Sequence, residues 1–171
     1  FERGNIYGIV GKNGAGKTTL MQLLSGFFRS YSGNISINRQ SVYDWSPTLF
    51  ARHISFLTQE PFFMGYGSTI RQNLLLGVWN TEDEKIWDYL EKFGLAEKIK
   101  KNPEGLESEI GEKIDFSGWE KQILTFIRLL LQDRPIIIMD EGTNQLDAEN
   151  EIIVMDELLK QKENKIIIFI T

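Results

Sequence analysis

Cysteine is absent from this 171-residue chain, which excludes disulfides and any thiolate metal site. No apolar run approaches the roughly 18 residues that a membrane-crossing helix needs. Basic runs are missing too. The net charge is −5, so nucleic acid is not expected as the main partner. The opening residues, FERGNIYGIV, lack the basic start and small-residue cleavage site of a signal peptide. Internal repeats and low-complexity linkers are also absent. The chain starts without Met, almost inside a strand pattern, and stops within the apolar run KIIIFIT. Both edges are expected to be cuts in a longer polypeptide.

What is present is the composition of one soluble globular domain, 42% hydrophobic and 25% charged, at a length sufficient for a core. Strand patterns lie near 5–10, 53–58, 135–139 and 165–170, with a shorter alternation at 33–38. RPIIIMDE (134–141) and NKIIIFIT (164–171) are apolar on consecutive positions, which suits parallel strands covered on both faces. Helical patterns separate them, so the expected class is α/β with a mainly parallel sheet. Leu20, Leu23, Leu24 and Phe27 follow helical spacing, and Gly26 interrupts the end. From 61 to 131 the pattern is helical. Thr81 and Glu84 read as a capping-box pair ahead of Ile86, Leu90 and Phe93. The stretch 119–131 is apolar on nearly every side and should be buried. The expected organisation is a core over 1–60 and 132–171, with a helical subdomain over 61–131 inserted into it.

GKNGAGKT (11–18) matches G-x-x-x-x-G-K-[ST] between a predicted strand and a predicted helix, the context that a phosphate-binding loop requires. Glycines allow the tight turn that aims successive N–H groups at phosphate oxygens, and the helix dipole adds positive potential. Lys17 should reach the β- and γ-phosphates and Thr18 should ligate Mg²⁺. Asp140 and Glu141 close an apolar strand, where open parallel sheets bind ligands. Asp140 is expected to hold Mg²⁺ through water, and Glu141 to orient or deprotonate an attacking water. Two solvated acids at a strand end are the bland alternative. No guanine-reading N/T-K-x-D motif occurs, which counts against a GTPase.

Five motifs in order then resemble the nucleotide-binding domain of an ABC transporter. They are the P-loop GKNGAGKTTL, the Q-loop FLTQEP, the signature FSGWEKQ, the strand IIIMDE and the D-loop NQLD. The fold implied is a P-loop NTPase core with a helical subdomain insertion. The resemblance implies that Gly11, Asn13, Gly14, Ala15, Gly16, Lys17, Thr18 and Thr19 bind ATP. It puts Thr18, Gln59 and Asp140 at the Mg²⁺, and makes Glu141 and Gln59 catalytic. Ser117, Gly118, Trp119 and Glu120 would face the ATP of a second nucleotide-binding domain, identical or different, and Asp147 would lie in the D-loop. GYGSTIRQNLLLG (65–77) and EIGEK (109–113) resemble exporter-type segments. Membrane domains would then be partners, with Phe62, Phe63 and Met64 either at their docking point or in ordinary core. The expected place is the cytoplasmic face of a membrane, and the expected activity is ATP hydrolysis driving export. The base-stacking aromatic and the switch histidine of the family would fall outside residues 1–171, so the isolated chain should be a poor ATPase. His53, the single histidine, matches no family role and reads as a strand-edge surface residue.

FSGWEKQ departs from the family's LSGGQ, because Trp119 stands where the second glycine is found. Ser117 and Glu120 also form S-x-x-E, a capping box that explains both residues without any nucleotide. Helical side chains tilt toward the N-terminus, so the Trp119 ring would hold a partner's nucleotide off. Rotated outward, it would instead leave the amides free. A degenerate, regulatory ATP-binding domain of a heterodimeric transporter is therefore the alternative to an active exporter engine. A soluble, non-transport ABC ATPase is a further one.

Overall fold

The computed structural model describes residues 1–12, 14–28, 31–78, 80–140, 146 and 148–171. Strand β1 (Asn5–Ile9) runs into a glycine-rich loop and helix α1 (Lys17–Leu24). A small hairpin follows, β2 (Ser36–Ile37) and β3 (Gln40–Ser41), then α2 (Pro47–His53) and β4 (Ile54–Leu57). Four helices come next: α3 (Ile70–Leu74), α4 (Asp83–Lys92), α5 (Ala96–Lys100) and α6 (Gly118–Gln132). The chain then returns through β5 (Ile136–Asp140), α7 (Ala148–Gln161) and β6 (Ile166–Ile170).

The main sheet has the order β1-β6-β5-β4, and every pairing is parallel. Its two central strands explain their own sequences. Ile137, Met139 and Ile167 join the core formed with α6 and α7, where Ile123, Ile127, Val154 and Leu158 are buried. Ile138, Ile168 and Ile170 face the other way, onto Met21, Phe50 and Trp45. A strand covered on both faces must be apolar at consecutive positions, as read above. Each such side chain, fully buried, contributes about 1.5–3 kcal/mol.

Helix α6 is the spine between the sheet and the other helices. Every residue from Gln122 to Leu131 is buried. Its end is set by Asp133, at φ 47, whose N–H donates to the Leu130 carbonyl, and Lys165 Nζ holds the Asp133 carboxylate at 2.5 Å.

Several local expectations are corrected. The 33–38 pattern yields only a two-residue strand, because Asn38 (φ 51) and Arg39 (φ 65) adopt the left-handed turn that closes a tight hairpin. Helix α1 ends at Leu24, and Phe27 lies outside it, 82% exposed. Gly26 (φ +72) turns the chain there, and a Cβ on it would meet the Phe50 ring at 2.7 Å. The buried residue of α1 is Met21, while Leu20 is exposed. Thr81 and Glu84 do not form a capping box. The N-cap of α4 is Glu82, without a side-chain cap. Arg71 instead pins Asp83 in the first turn, with Nη2 2.7 Å from Oδ2, and holds Glu107 with the same guanidinium. His53 is the last residue of α2 rather than a strand edge. Its Nδ1–H donates to the Leu49 carbonyl at 2.8 Å, and its ring lies 5.0 Å from that of Trp45.

Candidate functional site

Parallel strands align their carboxyl ends, so β1, β4 and β5 end on one edge of the sheet. The β1 loop carries Gly14 (φ +81) and Gly16 (φ +90). Gly16 is the N-cap of α1, in a left-handed conformation that strains any residue with a Cβ. The loop is tied by Ala15 N–H to the Lys12 carbonyl at 3.0 Å, and it is exposed from Gly14 to Gly16. Lys17 folds back over it, donating from Nζ to the Gly11 carbonyl at 2.5 Å and to the Lys12 carbonyl at 3.4 Å. Thr19 is exposed on the first turn of α1.

Thr18 Oγ1 donates to Asp140 Oδ2 at 3.4 Å, although 122 positions separate the two residues. Asp140 is 9% exposed at the end of β5. The sheet thus converges the loop lysine, a hydroxyl and a buried carboxylate. Gln59 is exposed two residues beyond the end of β4, on the same edge. Among the described residues no three His, Cys, Asp or Glu side chains gather in metal-binding fashion. A hard cation at Thr18 and Asp140 would therefore take its remaining oxygens from ligand and water. Asn13, Glu141 and Asp147 lie outside the described residues.

The second candidate element is the start of α6. Ser117 is its N-cap, and Ser117, Gly118 and Trp119 are exposed, Trp119 by 37%. Glu120 is buried. Its Oε2 accepts from the Ser117 N–H at 2.7 Å and from the Ser117 hydroxyl at 2.9 Å, completing the capping box. Lys98, on α5, donates to Glu120 Oε1 at 2.8 Å and Oε2 at 2.7 Å. Burial pushes the Glu120 carboxyl up, but Lys98 and the two Ser117 donors outweigh it and hold it below its ordinary range.

A third feature is a cleft of about 720 Å³ between α2, β4 and α6. Arg52, Arg128 and Arg134 line it beside Phe62, Leu76 and Leu129, and the described lining includes no carboxylate. Arg128 is buried to 6% exposure. It donates from Nε to the Asn73 carbonyl at 2.6 Å and sits 5.6 Å from the Phe63 ring centroid. Burial pulls its guanidinium down to about 10. Burial and then Arg52 lower Arg134, whose Nε lacks a hydrogen-bond partner among the described residues. Phe62 is 59% exposed at the mouth, whereas Phe63 packs on the core.

Sequence reasoning passed over Lys98, because nothing in a sequence marks a lysine 22 positions before its carboxylate. It also passed over the capping box of Thr69 and Gln72 that starts α3. There the signal was present, as T-x-x-Q ahead of Leu74, Leu75 and Leu76.

The chain belongs to the ABC transporter family, whose family model matches residues 1–144. It is an ATP-binding domain of that family, homologous to exporter-type members. The "Mesentericin-Y105 transport/processing ATP-binding protein MesD" of Leuconostoc mesenteroides is 36% identical over 160 residues, covering 93% of this chain and 22% of that protein. A "Putative export ATP-binding/permease protein" of Rickettsia bellii is 35% identical over 164 residues, with 95% and 28% coverage. The solved structure of a bacterial Atm1-family ABC exporter with ATP bound superposes with a TM-score of 0.86 at 27% identity, covering 99% of this chain and 29% of that one. This chain therefore spans under a third of the length of these relatives.

Proposed function

We propose that this domain binds Mg-ATP and hydrolyses it, so that a membrane exporter is driven by pairing with a second nucleotide-binding domain. The observation that carries the reading is the approach of Thr18 Oγ1 to Asp140 Oδ2 at 3.4 Å, directly after the glycine loop. Main-chain N–H groups of residues 11–19 cradle the phosphates. Lys17 exchanges the Gly11 and Lys12 carbonyls for the β- and γ-phosphate oxygens. Thr18 and Asp140 hold Mg²⁺, with Gln59 nearby. When bound, the ion neutralises charge on the phosphates. Glu141 positions or deprotonates the attacking water, and Asp147 belongs to the pairing surface. The test is calorimetric titration with Mg-ATP. Lys17→Ala should weaken binding by roughly 10- to 150-fold, the equivalent of one charge-assisted hydrogen bond. Equal affinities would refute the site.

Ser117 and Gly118 face the partner's ATP in this reading, and membrane domains engage the cleft between α2 and α6. The exposed Phe62 and the arginine lining support that docking, and so does the relatives' greater length. The domain would then sit at the cytoplasmic face of the membrane.

One observation favours a second reading, in which the domain is the impaired half of a heterodimer. Trp119 stands exposed on the first turn of α6, two residues after Ser117, and helical side chains tilt toward the N-terminus. On this reading the ATP bound here is turned over against an intact partner signature, and the partner's ATP is held poorly.

A further inference from the structure

The start of α6 carries a feature that hinders a role opposite a phosphate. Glu120 places a carboxylate within 2.9 Å of the Ser117 hydroxyl and 2.7 Å of the Ser117 N–H. Those are donors that an incoming phosphate oxygen would use. An ionised carboxylate there also repels a polyanion. Both Glu120 oxygens, however, are covered by Lys98 Nζ at 2.8 and 2.7 Å. The same ammonium lies 4.9 Å from the ring centroid of Phe116, a buried residue just before the N-cap. Lys98 reaches this point from α5, a separate helix, so its position is fixed by packing of Ala96 and Ile99 in the core. The arrangement is a three-part chain, in which Lys98 grips Glu120 and Glu120 aims Ser117.

We infer that Lys98 is a positioning residue of the signature site, neutralising Glu120 and fixing the direction of Ser117 so that the partner's triphosphate can be accepted. The inference rests on the proposed pairing over ATP. Lys98 touches no phosphate itself. It cancels the nearest negative charge and holds the carboxylate against the helix end. Without it, the Glu120 charge stands uncompensated beside the one exposed hydroxyl of the motif. This assigns a task to a residue outside the five motifs, on the helix that precedes the signature by a loop.

The experiment uses the full-length protein, with a donor–acceptor fluorophore pair on the two nucleotide-binding domains to report closure against ATP concentration. Lys98→Met should raise the ATP needed for half-maximal closure on the order of tenfold, a typical coupling for charged neighbours. Lys98→Arg should keep the parent value. Adding Glu120→Gln to Lys98→Met should restore it, because the charge to be neutralised is gone. ATP affinity at this chain's own P-loop, measured separately, should stay unchanged in all three. A purely structural salt bridge would lower thermal stability and leave the closure curve in place, and that result overturns the inference. So does a double variant that closes no better than Lys98→Met. If Lys98→Met fails to fold, Lys98→Gln takes its place. It should raise the ATP requirement likewise, and an unchanged requirement overturns the inference. Lys17→Ala in the same protein separates the two readings, because closure that ignores Lys17 refutes the ATP site itself rather than the role of Lys98.

Discussion

Arg128 and Asn73 are joined by a 2.6 Å bond from the arginine Nε to the asparagine carbonyl, both residues being buried. The Asn73 side chain extends the link. Its Oδ1 accepts the Met64 N–H at 2.7 Å, and its Nδ2 donates to the Ser68 hydroxyl and the Thr69 carbonyl, each at 2.9 Å. One asparagine thus fastens the segment that follows β4 to the middle of α6. Asn73→Ala leaves the Met64 N–H without its partner beside a position 1% exposed, while the Ser68 hydroxyl keeps its bond to the Met64 carbonyl and the Thr69 carbonyl keeps the Asn73 N–H. The expected cost is about 1–3 kcal/mol, the penalty of one buried donor left unsatisfied. Urea denaturation of parent and variant measures it. A loss under about 0.5 kcal/mol would show that the segment is held by other contacts.

Glu141 is the expected base. In the full-length protein, Glu141→Gln should keep ATP binding and lose about 10²–10⁴ in steady-state hydrolysis, the typical contribution of a positioned base. Hydrolysis within a few-fold of the parent would remove Glu141 from the chemistry.

Trp119→Gly should raise ATP-driven pairing or turnover of a homodimer of the complete domain, because it clears the first turn of α6. The capping box of Ser117 and Glu120 is untouched by the change. Circular dichroism checks that the helix persists, and an ATPase assay reads the effect. Unchanged or lower activity with the fold intact would mean that the indole is accommodated.

The Glu120 carboxyl is held below its ordinary value of 4.5 by Lys98 and Ser117, against the opposing effect of burial. A depressed folded-state value means that the unfolded chain binds the proton first as pH falls. The contribution of Glu120 to stability is therefore complete above about pH 4.5, and it disappears as acid titrates the folded carboxyl. Comparing Glu120→Gln with the parent by thermal unfolding should show the parent more stable at pH 7 and the gap closing below pH 4.5. A gap independent of pH would mean that the carboxyl charge adds nothing to the capping box.

The glycine-rich loop after β1 was legible because it is a local device. Gly14 and Gly16 adopt positive φ, and Lys17 returns to a carbonyl six residues back, all within one turn of chain. The central strands were legible because burial on both faces leaves no polar position until the strand end, as in 136–139 and Ile166–Ile170. The burial of α6 was legible because apolar residues recur on nearly every side of it, although Gln122, Thr125 and Arg128 are buried among them. Helix ends were read less well where a distant residue chose them. Arg71 fixes the start of α4 at Asp83, and Gly26 against Phe50 ends the helical course before Phe27.

The sequence by itself determined the α/β class, the glycine-rich loop after β1 and the order of the motifs, because each depends on backbone torsions and periodicities set within a few residues. Tertiary structure alone decided what those motifs meet. It brought Thr18 to Asp140 across 122 positions, set Lys98 on Glu120, and closed Arg52, Arg128 and Arg134 around a cleft free of acids among its described residues. The reason is that charge pairing and desolvation act through space. Their partners are chosen by the packing of the sheet and α6, and no spacing along the chain records that choice.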